Sequence, residues 1–242
     1  MFLHGFLGSH RNWDDIIKNL DIPWICIDLP GHGESHFNQL SSYSFSQWNG
    51  DFKTLLDEFQ ISQISLCGYS MGGRLALSFA LEYPHMINKL ILESTSFGYK
   101  SNEKRNIRLQ EDQQLANKIV KNFELFLLDW NNHLLFKNQE DRNQIEWKNQ
   151  HLVRQQQNPI QTSHALIHLG QGKMPFYLPK LTFLQNHILL ITGEEDEKYC
   201  KIAQSVKDQY PHVNWEVVNN ASHNTHLEEP KQFVEILNQF MN

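Results

Sequence analysis

The chain has 242 residues, 40% of them hydrophobic, which is enough for one α/β domain with a modest insertion. A formal net charge of -6 without any run of Lys and Arg argues against a nucleic-acid binder that works through phosphate contacts. Three unevenly spaced cysteines, Cys26, Cys67 and Cys200, make no C-x-x-C, so neither a disulfide framework nor a zinc site is expected. No basic n-region opens the chain and no apolar run approaches the roughly 18 residues of a membrane span, so the expected protein is cytoplasmic, with no membrane partner.

The first strand must lie within Met1–Leu3, ahead of His4-Gly5-Phe6. Trp24-Ile25-Cys26-Ile27 reads as the second strand, and Asp28-Leu29-Pro30-Gly31-His32-Gly33-Glu34-Ser35 as the loop after it. His32 in that loop reads as structural. Ser44 is an N-cap for a helix with Trp48, Phe52, Leu55, Leu56 and Phe59 at helical spacing. Ile64–Cys67 and Leu90–Leu92 are further strands, with a helical pattern from Gly73 to Leu81 between them. Beyond the insertion described next, Ile188–Ile191 and Trp215–Val218 complete the set. Strands alternating with helices imply a mostly parallel sheet with helices on both faces. The alternation breaks between about Tyr99 and Lys180, where Asn106–Val120 and Asp141–Gln156 read as helices. The anchors Phe123, Phe126, Trp130, Leu134 and Phe136 argue that this segment is packed rather than disordered. The expected organisation is a sheet domain at 1–98 and 181–242 with a helical cap at 99–180 inserted into it.

Gly68-Tyr69-Ser70-Met71-Gly72 fits G-x-S-x-G between a strand and a helix. That context makes it a nucleophile elbow, a sharp turn that presents a serine hydroxyl at a helix N-terminus, and it points to the α/β-hydrolase fold. A serine needs a base to take its proton, and in this fold the order is Ser, then Asp or Glu, then His. Asp196 lies in the loop after the fifth strand, with more reach than its rivals Glu194 and Glu195. His223 follows the last strand, with His226 as the nearest rival. Backbone N–H groups of Phe6, after the first strand, and Met71, after the serine, are placed to form an oxyanion hole. No dinucleotide or Walker loop and no H-E-x-x-H occurs, so neither cofactor nor metal is expected. Arg74, four residues past the serine, would project near the pocket and suit an anion, with a solvated surface Arg as the equal alternative, whereas Arg108 and Arg154, taken singly, read as solvated faces of cap helices.

Several stretches together resemble one family. They are Leu3-His4-Gly5-Phe6-Leu7-Gly8-Ser9 with Trp13, Asp28–Ser35, Gly68–Arg74, Glu93-Ser94-Thr95-Ser96, Arg105 with Arg108 and Asp112, Asp129-Trp130, Gly170-Gln171-Gly172, Gly193–Tyr199 and His223–Glu228. The chain resembles the 2-succinyl-6-hydroxy-2,4-cyclohexadiene-1-carboxylate synthases of menaquinone biosynthesis, the MenH type. The resemblance implies loss of pyruvate from a small polyanionic substrate, 2-succinyl-5-enolpyruvyl-6-hydroxy-3-cyclohexene-1-carboxylate, without cofactor or metal. It implies that Ser70, activated by His223, is a base, that Phe6 and Met71 hold the developing charge, and that Arg74, Arg108 and Arg154 receive three carboxylates. It also implies that Tyr69 and Trp130 line the pocket. Phe97 and Ser222 depart from the family, which usually has Pro and Gly there; Ser222 cannot adopt positive φ as cheaply as glycine. A carboxylesterase of the same fold, or a member that only binds a small ligand, are the alternative readings.

Overall fold

Each predicted apolar run contributes to one sheet. In the computed structural model, which describes residues 1–38, 42–136, 139–184 and 187–242, six strands lie in the order β2-β1-β3-β4-β5-β6, all parallel. They are β1 (Phe2–Leu3), β2 (Cys26–Ile27), β3 (Ile64–Tyr69), β4 (Ile87–Glu93), β5 (His187–Gly193) and β6 (Asn214–Val218). The helices of the sheet domain are α1 (Asp14–Ile17), α2 (Phe45–Glu58), α3 (Met71–Glu82), α9 (Glu197–Gln209), α10 (Thr225–Glu228) and α11 (Pro230–Met241). Alternate strand residues face opposite ways. Leu66, Leu90, Leu92, Ile188 and Leu190 pack with α2, α3 and α9, while Cys67, Ile91, Leu189 and Ile191 pack with α1 and α11. Among the described residues, no helix is long and apolar enough to cross a membrane.

The chain leaves β1 toward β2 on one side, then returns to β3 and continues outward to β6 on the other. The loops after β1 and β3 therefore diverge at a switch point, where an open α/β sheet forms its ligand crevice. The two loops touch. A Cβ on Gly72 would lie 2.4 Å from the Leu3 carbonyl oxygen and 2.5 Å from that of His4, so only glycine fits. His4 joins the β1 loop to the β2 loop, since its Nε2 accepts from Leu29 N–H at 2.9 Å and its Nδ1–H donates to Gly5 O at 2.7 Å. Asp28 organises the following turn by accepting from the N–H groups of His10 and Glu34. His32 is buried and packs edge-on against His4 and Phe6.

The edge strand is shorter than its sequence suggests. Trp24 and Ile25 lie outside β2 and are 45% and 40% exposed, because β1 offers only Phe2 and Leu3 for pairing. Phe59, at the C-cap of α2, is exposed rather than buried.

Between β4 and β5 the chain forms α4 (Asn102–Lys121), α5 (Phe123–Asn131), α6 (Gln139–Arg142), α7 (Gln144–Gln155) and α8 (Pro159–Leu169). Helix α4 starts four residues before the predicted one because Ser101 caps it, accepting from Lys104 N–H. The apolar residues Leu125, Phe126, Leu127 and Leu128 belong to α5, which buries Phe126 and Leu127 against Leu7, Ala116, Ile119 and Leu166. The single helix predicted at Asp141–Gln156 is two, divided at Asn143, whose side chain caps α7. Helix α8 was not predicted; its Asn158 cap and Pro159 at N1 are the start signals. Phe136 is buried, and the side chain of Leu134 lies outside the described residues. Gln157 ties the insertion to both front loops, donating to Gly8 O at 3.1 Å and accepting from Gly33 N–H at 3.0 Å.

Two outcomes follow from this packing. Gly72→Ala would force backbone against backbone at the elbow, so it should cost about 1–3 kcal/mol in urea unfolding and lower activity in the folded fraction. An unchanged unfolding midpoint would contradict the close approach. The second concerns pH. Burial lowers the pKa of His4 to about 4 and that of His32 to about 3. Both stay neutral when folded, whereas the unfolded chain binds their protons below about 6.5. Stability is therefore fully present above pH 6.5 and falls as pH drops toward the folded values. Between pH 7 and pH 5 the loss should be on the order of 2 kcal/mol per histidine, and a His32→Gln variant should lose less. A flat profile would contradict the buried neutral state.

Candidate active site

The turn from β3 into α3 places Ser70 at φ 51° and ψ −101°, a strained conformation for a residue with a Cβ. Its N–H donates to Glu93 O at 2.9 Å, which fixes the turn against β4. Ser70 Oγ lies 3.2 Å from His223 Nε2, and His223 Nδ1 lies 2.6 Å from Asp196 Oδ2. Asp196 is the N-cap of α9, where its other oxygen accepts from Tyr199 N–H, so the helix end orients the carboxylate toward His223. Ser70, His223 and Asp196 thus form one hydrogen-bonded chain, although they lie 153 and 27 residues apart in pairs. The arrangement lets His223 take a proton from Ser70 while Asp196 holds the tautomer and stabilises the imidazolium.

The rivals are placed elsewhere. His226 Nδ1 bonds Glu93 Oε2 at 2.6 Å and its ring stacks on Trp13 at 4.1 Å, away from Ser70. Glu194 accepts from Asn220 N–H, and Glu195 is exposed and paired with Arg142.

Phe6, Met71, Tyr69 and Trp130 line the same pocket as Ser70 and His223. The N–H groups of Phe6 and Met71 have no hydrogen-bond acceptor among the described residues. The Met71 N–H also opens α3, where the helix dipole favours negative charge. Trp130 Nε1 is buried without a partner, and its ring meets Phe6 edge-on. Ser222 does not adopt positive φ, so serine is accommodated there without backbone strain.

All three arginines reach the pocket, but their charges are not equivalent. Arg74 is 6% exposed and its guanidinium forms no hydrogen bond or ion pair among the described residues; its Nε is a buried orphan. Arg154 is equally buried and meets only neutral acceptors, Asn131 Oδ1 and Gln150 Oε1, both at 2.6 Å, with the Phe136 ring below it. Burial lowers both pKa values to about 10, so both stay protonated at neutral pH. Arg108 instead pairs with Asp112 at 2.7 Å and donates to Gln171. Its charge is already balanced, and Asp112 four residues on in one helix was the sequence signal for that. Lys198 and Tyr199 also line the pocket. They lie in a stretch whose resemblance was visible in sequence, but their place beside Arg74 needed the fold. Gln150 and Asn131, which hold the Arg154 guanidinium, carried no signal of their own, whereas Gln171 lies in a stretch that resembles the family.

Residues 1–230 match the family described as alpha/beta hydrolase fold. A Bacillus subtilis (strain 168) protein named as a 2-succinyl-6-hydroxy-2,4-cyclohexadiene-1-carboxylate synthase is 35% identical over 99% of this chain and 88% of its own length. The synthase of that name from Yersinia pestis bv. Antiqua (strain Nepal516) is 28% identical, with 96% of this chain and 83% of the relative covered. The solved structure of MenH from S. aureus superposes with a TM-score of 0.91 at 33% identity, covering 99% of this chain and 91% of that one. Fold, extent of match and identity agree, and the chain belongs to the MenH-type 2-succinyl-6-hydroxy-2,4-cyclohexadiene-1-carboxylate synthase family of α/β-hydrolase proteins.

Proposed function

We propose that this protein is a carbon–oxygen lyase of menaquinone biosynthesis. It eliminates pyruvate from 2-succinyl-5-enolpyruvyl-6-hydroxy-3-cyclohexene-1-carboxylate to give 2-succinyl-6-hydroxy-2,4-cyclohexadiene-1-carboxylate. The observation that carries this reading is the pair of buried, protonated guanidinium groups, Arg74 and Arg154, that share the Ser70 pocket and have no acid partner among the described residues. An uncompensated buried charge costs several kcal/mol. A ligand that brings carboxylates offsets that cost, and forked guanidinium donors suit carboxylate geometry. The substrate carries three carboxylates. Arg74 and Arg154 answer two of them with full charge, while Arg108 supplies donors from a pair already neutralised by Asp112.

In this reading Ser70 passes its proton to His223 and takes the ring proton next to the succinyl carbonyl. The electron pair of that C–H bond forms a new ring double bond, the existing ring double bond shifts by one carbon, and the enolpyruvyl C–O bond breaks with its electrons. The departing enolpyruvate gains a proton and becomes pyruvate. While this happens, negative charge builds on the succinyl carbonyl oxygen, where the N–H groups of Phe6 and Met71 stabilise it. No acyl-enzyme is needed. A plain carboxylesterase would use the same triad and hole but leave Arg74 and Arg154 without a counter-charge.

Incubation with the enolpyruvyl substrate should release pyruvate. Ser70→Ala, His223→Ala and Asp196→Asn should each cost several orders of magnitude, and the double variant Ser70→Ala with His223→Ala little more than either alone, because the groups act as one unit. Additive losses would contradict that. The arginines give a separate test. Arg74→Ala should lower kcat/KM for the polyanion by roughly 2–4 kcal/mol, and Arg74→Lys should recover part of it. Neither change should alter hydrolysis of a small neutral ester much. Equal losses on both substrates would assign Arg74 to the fold and favour the esterase reading.

A further inference from the structure

The loop that carries His223 is held by a buried carboxylate outside the triad. Glu228, the last residue of α10, has a fully buried side chain. It accepts from Ser222 N–H at 2.7 Å, Ser222 Oγ at 2.6 Å and Asn224 N–H at 3.3 Å, so both residues flanking His223 are bound to it. From the insertion, Gln139 Nε2 reaches it at 3.0 Å and Arg142 Nη1 pairs with it. The other arm of Arg142 meets Glu195 at 2.5 Å, next in sequence to Asp196. One guanidinium from α6 thus spans the loops of two triad members. Neither Glu228 nor Arg142 lines the pocket, so neither is placed to touch a ligand there.

We propose that Glu228, charge-balanced by Arg142, is a positioning residue that holds the His223 imidazole between Asp196 and Ser70. The inference rests on reading those three residues as the catalytic triad. A carboxylate is the group the site needs, because it only accepts and every neighbour only donates to it. Glutamine has nearly the same shape but turns an N–H₂ toward N–H and guanidinium donors. Without Arg142, the buried charge of Glu228 keeps only neutral donors, which is a poor balance. Ser222 strengthens the grip where a glycine would add no hydroxyl. The far end of the loop is anchored separately, by Glu93 on Thr225 Oγ1, His226 N–H and His226 Nδ1. Loss of Glu228 therefore frees the His223 end while the fold persists.

The test uses Glu228→Gln, Arg142→Ala and Arg142→Lys in the full chain. Two readouts are taken: the kcat and KM of pyruvate release, and the downfield proton resonance of His223 Nδ1–H in the resting protein. Misplacement of a catalytic group by an ångström costs up to about 100-fold, so Glu228→Gln and Arg142→Ala should lower kcat by roughly 10- to 100-fold with KM within about threefold. The His223 resonance should shift or broaden in both, and Arg142→Lys should regain most of kcat. Asp57→Asn, at the exposed Lys53–Asp57 pair of α2, should change kcat by less than about twofold. If Glu228→Gln does not fold, the arginine variants decide the matter. Folded variants with wild-type kcat and an unchanged His223 resonance would overturn the inference by leaving Glu228 a purely structural role. A raised KM with unchanged kcat would overturn it by placing Arg142 on the ligand. Absence of pyruvate release from the unmodified protein would instead refute the proposed reaction, and the resonance, read without substrate, would still judge the positioning.

Discussion

The turn that holds Ser70 at φ 51° is the constraint on which the rest of the site depends. A non-glycine residue in that region costs about 1–3 kcal/mol, so surrounding structure must impose it. Here β3 ends against β4 through the Ser70 N–H, and Gly72 lets α3 approach the backbone of Leu3 and His4. The same approach sets the Met71 N–H beside the Phe6 loop. Chain order then supplies the partners, because β5 and β6 add on the side of β4 and bring the Asp196 and His223 loops to the same edge. The strain at Ser70, the position of the Phe6 and Met71 N–H groups and the hydrogen-bonded chain of Ser70, His223 and Asp196 are thus consequences of one switch point in the sheet.

The charges divide the site differently. The chain is acidic overall, with a net charge of -6, yet its pocket gathers Arg74, Arg108, Arg154 and Lys198. Distribution, not net charge, decides what enters. Arg108 is neutralised in place by Asp112, and its job is shared between holding Gln171 and facing the pocket. Arg74 is held by burial alone and Arg154 by burial and neutral amides, so on the proposed reading an anionic ligand would balance both charges.

Much of this was legible in the residues. G-x-S-x-G after an apolar run is a local pattern, so the elbow and its helix were visible without tertiary information. The acid and base loops were visible because each follows a strand. The choice between His223 and His226 was less so, since both lie in one loop and each meets a carboxylate in the fold. The 3.2 Å contact of His223 with Ser70 and the packing of His226 on Trp13 separate them. The ends of β2 depend on how many residues β1 offers, which no window around Trp24 contains. Helix α8 escaped notice because polar Thr162 and Ser163 share its buried side with Ala165, Leu166 and Leu169 and interrupt the apolar periodicity. Glu228 closes a stretch that resembles the family, but its burial by Gln139 and Arg142 is a contact between segments far apart in the chain.

In the proposed reaction Ser70 removes a proton from carbon instead of attacking a carbonyl. The most direct measurement is a single turnover with substrate deuterated at the ring carbon that bears the succinyl group, with pyruvate and the mass of the Ser70 peptide followed together. Proton removal by Ser70 predicts pyruvate release slowed several-fold by deuterium, with no mass added to the peptide. Pyruvate release indifferent to deuterium, with a covalent adduct accumulating on Ser70, would contradict it.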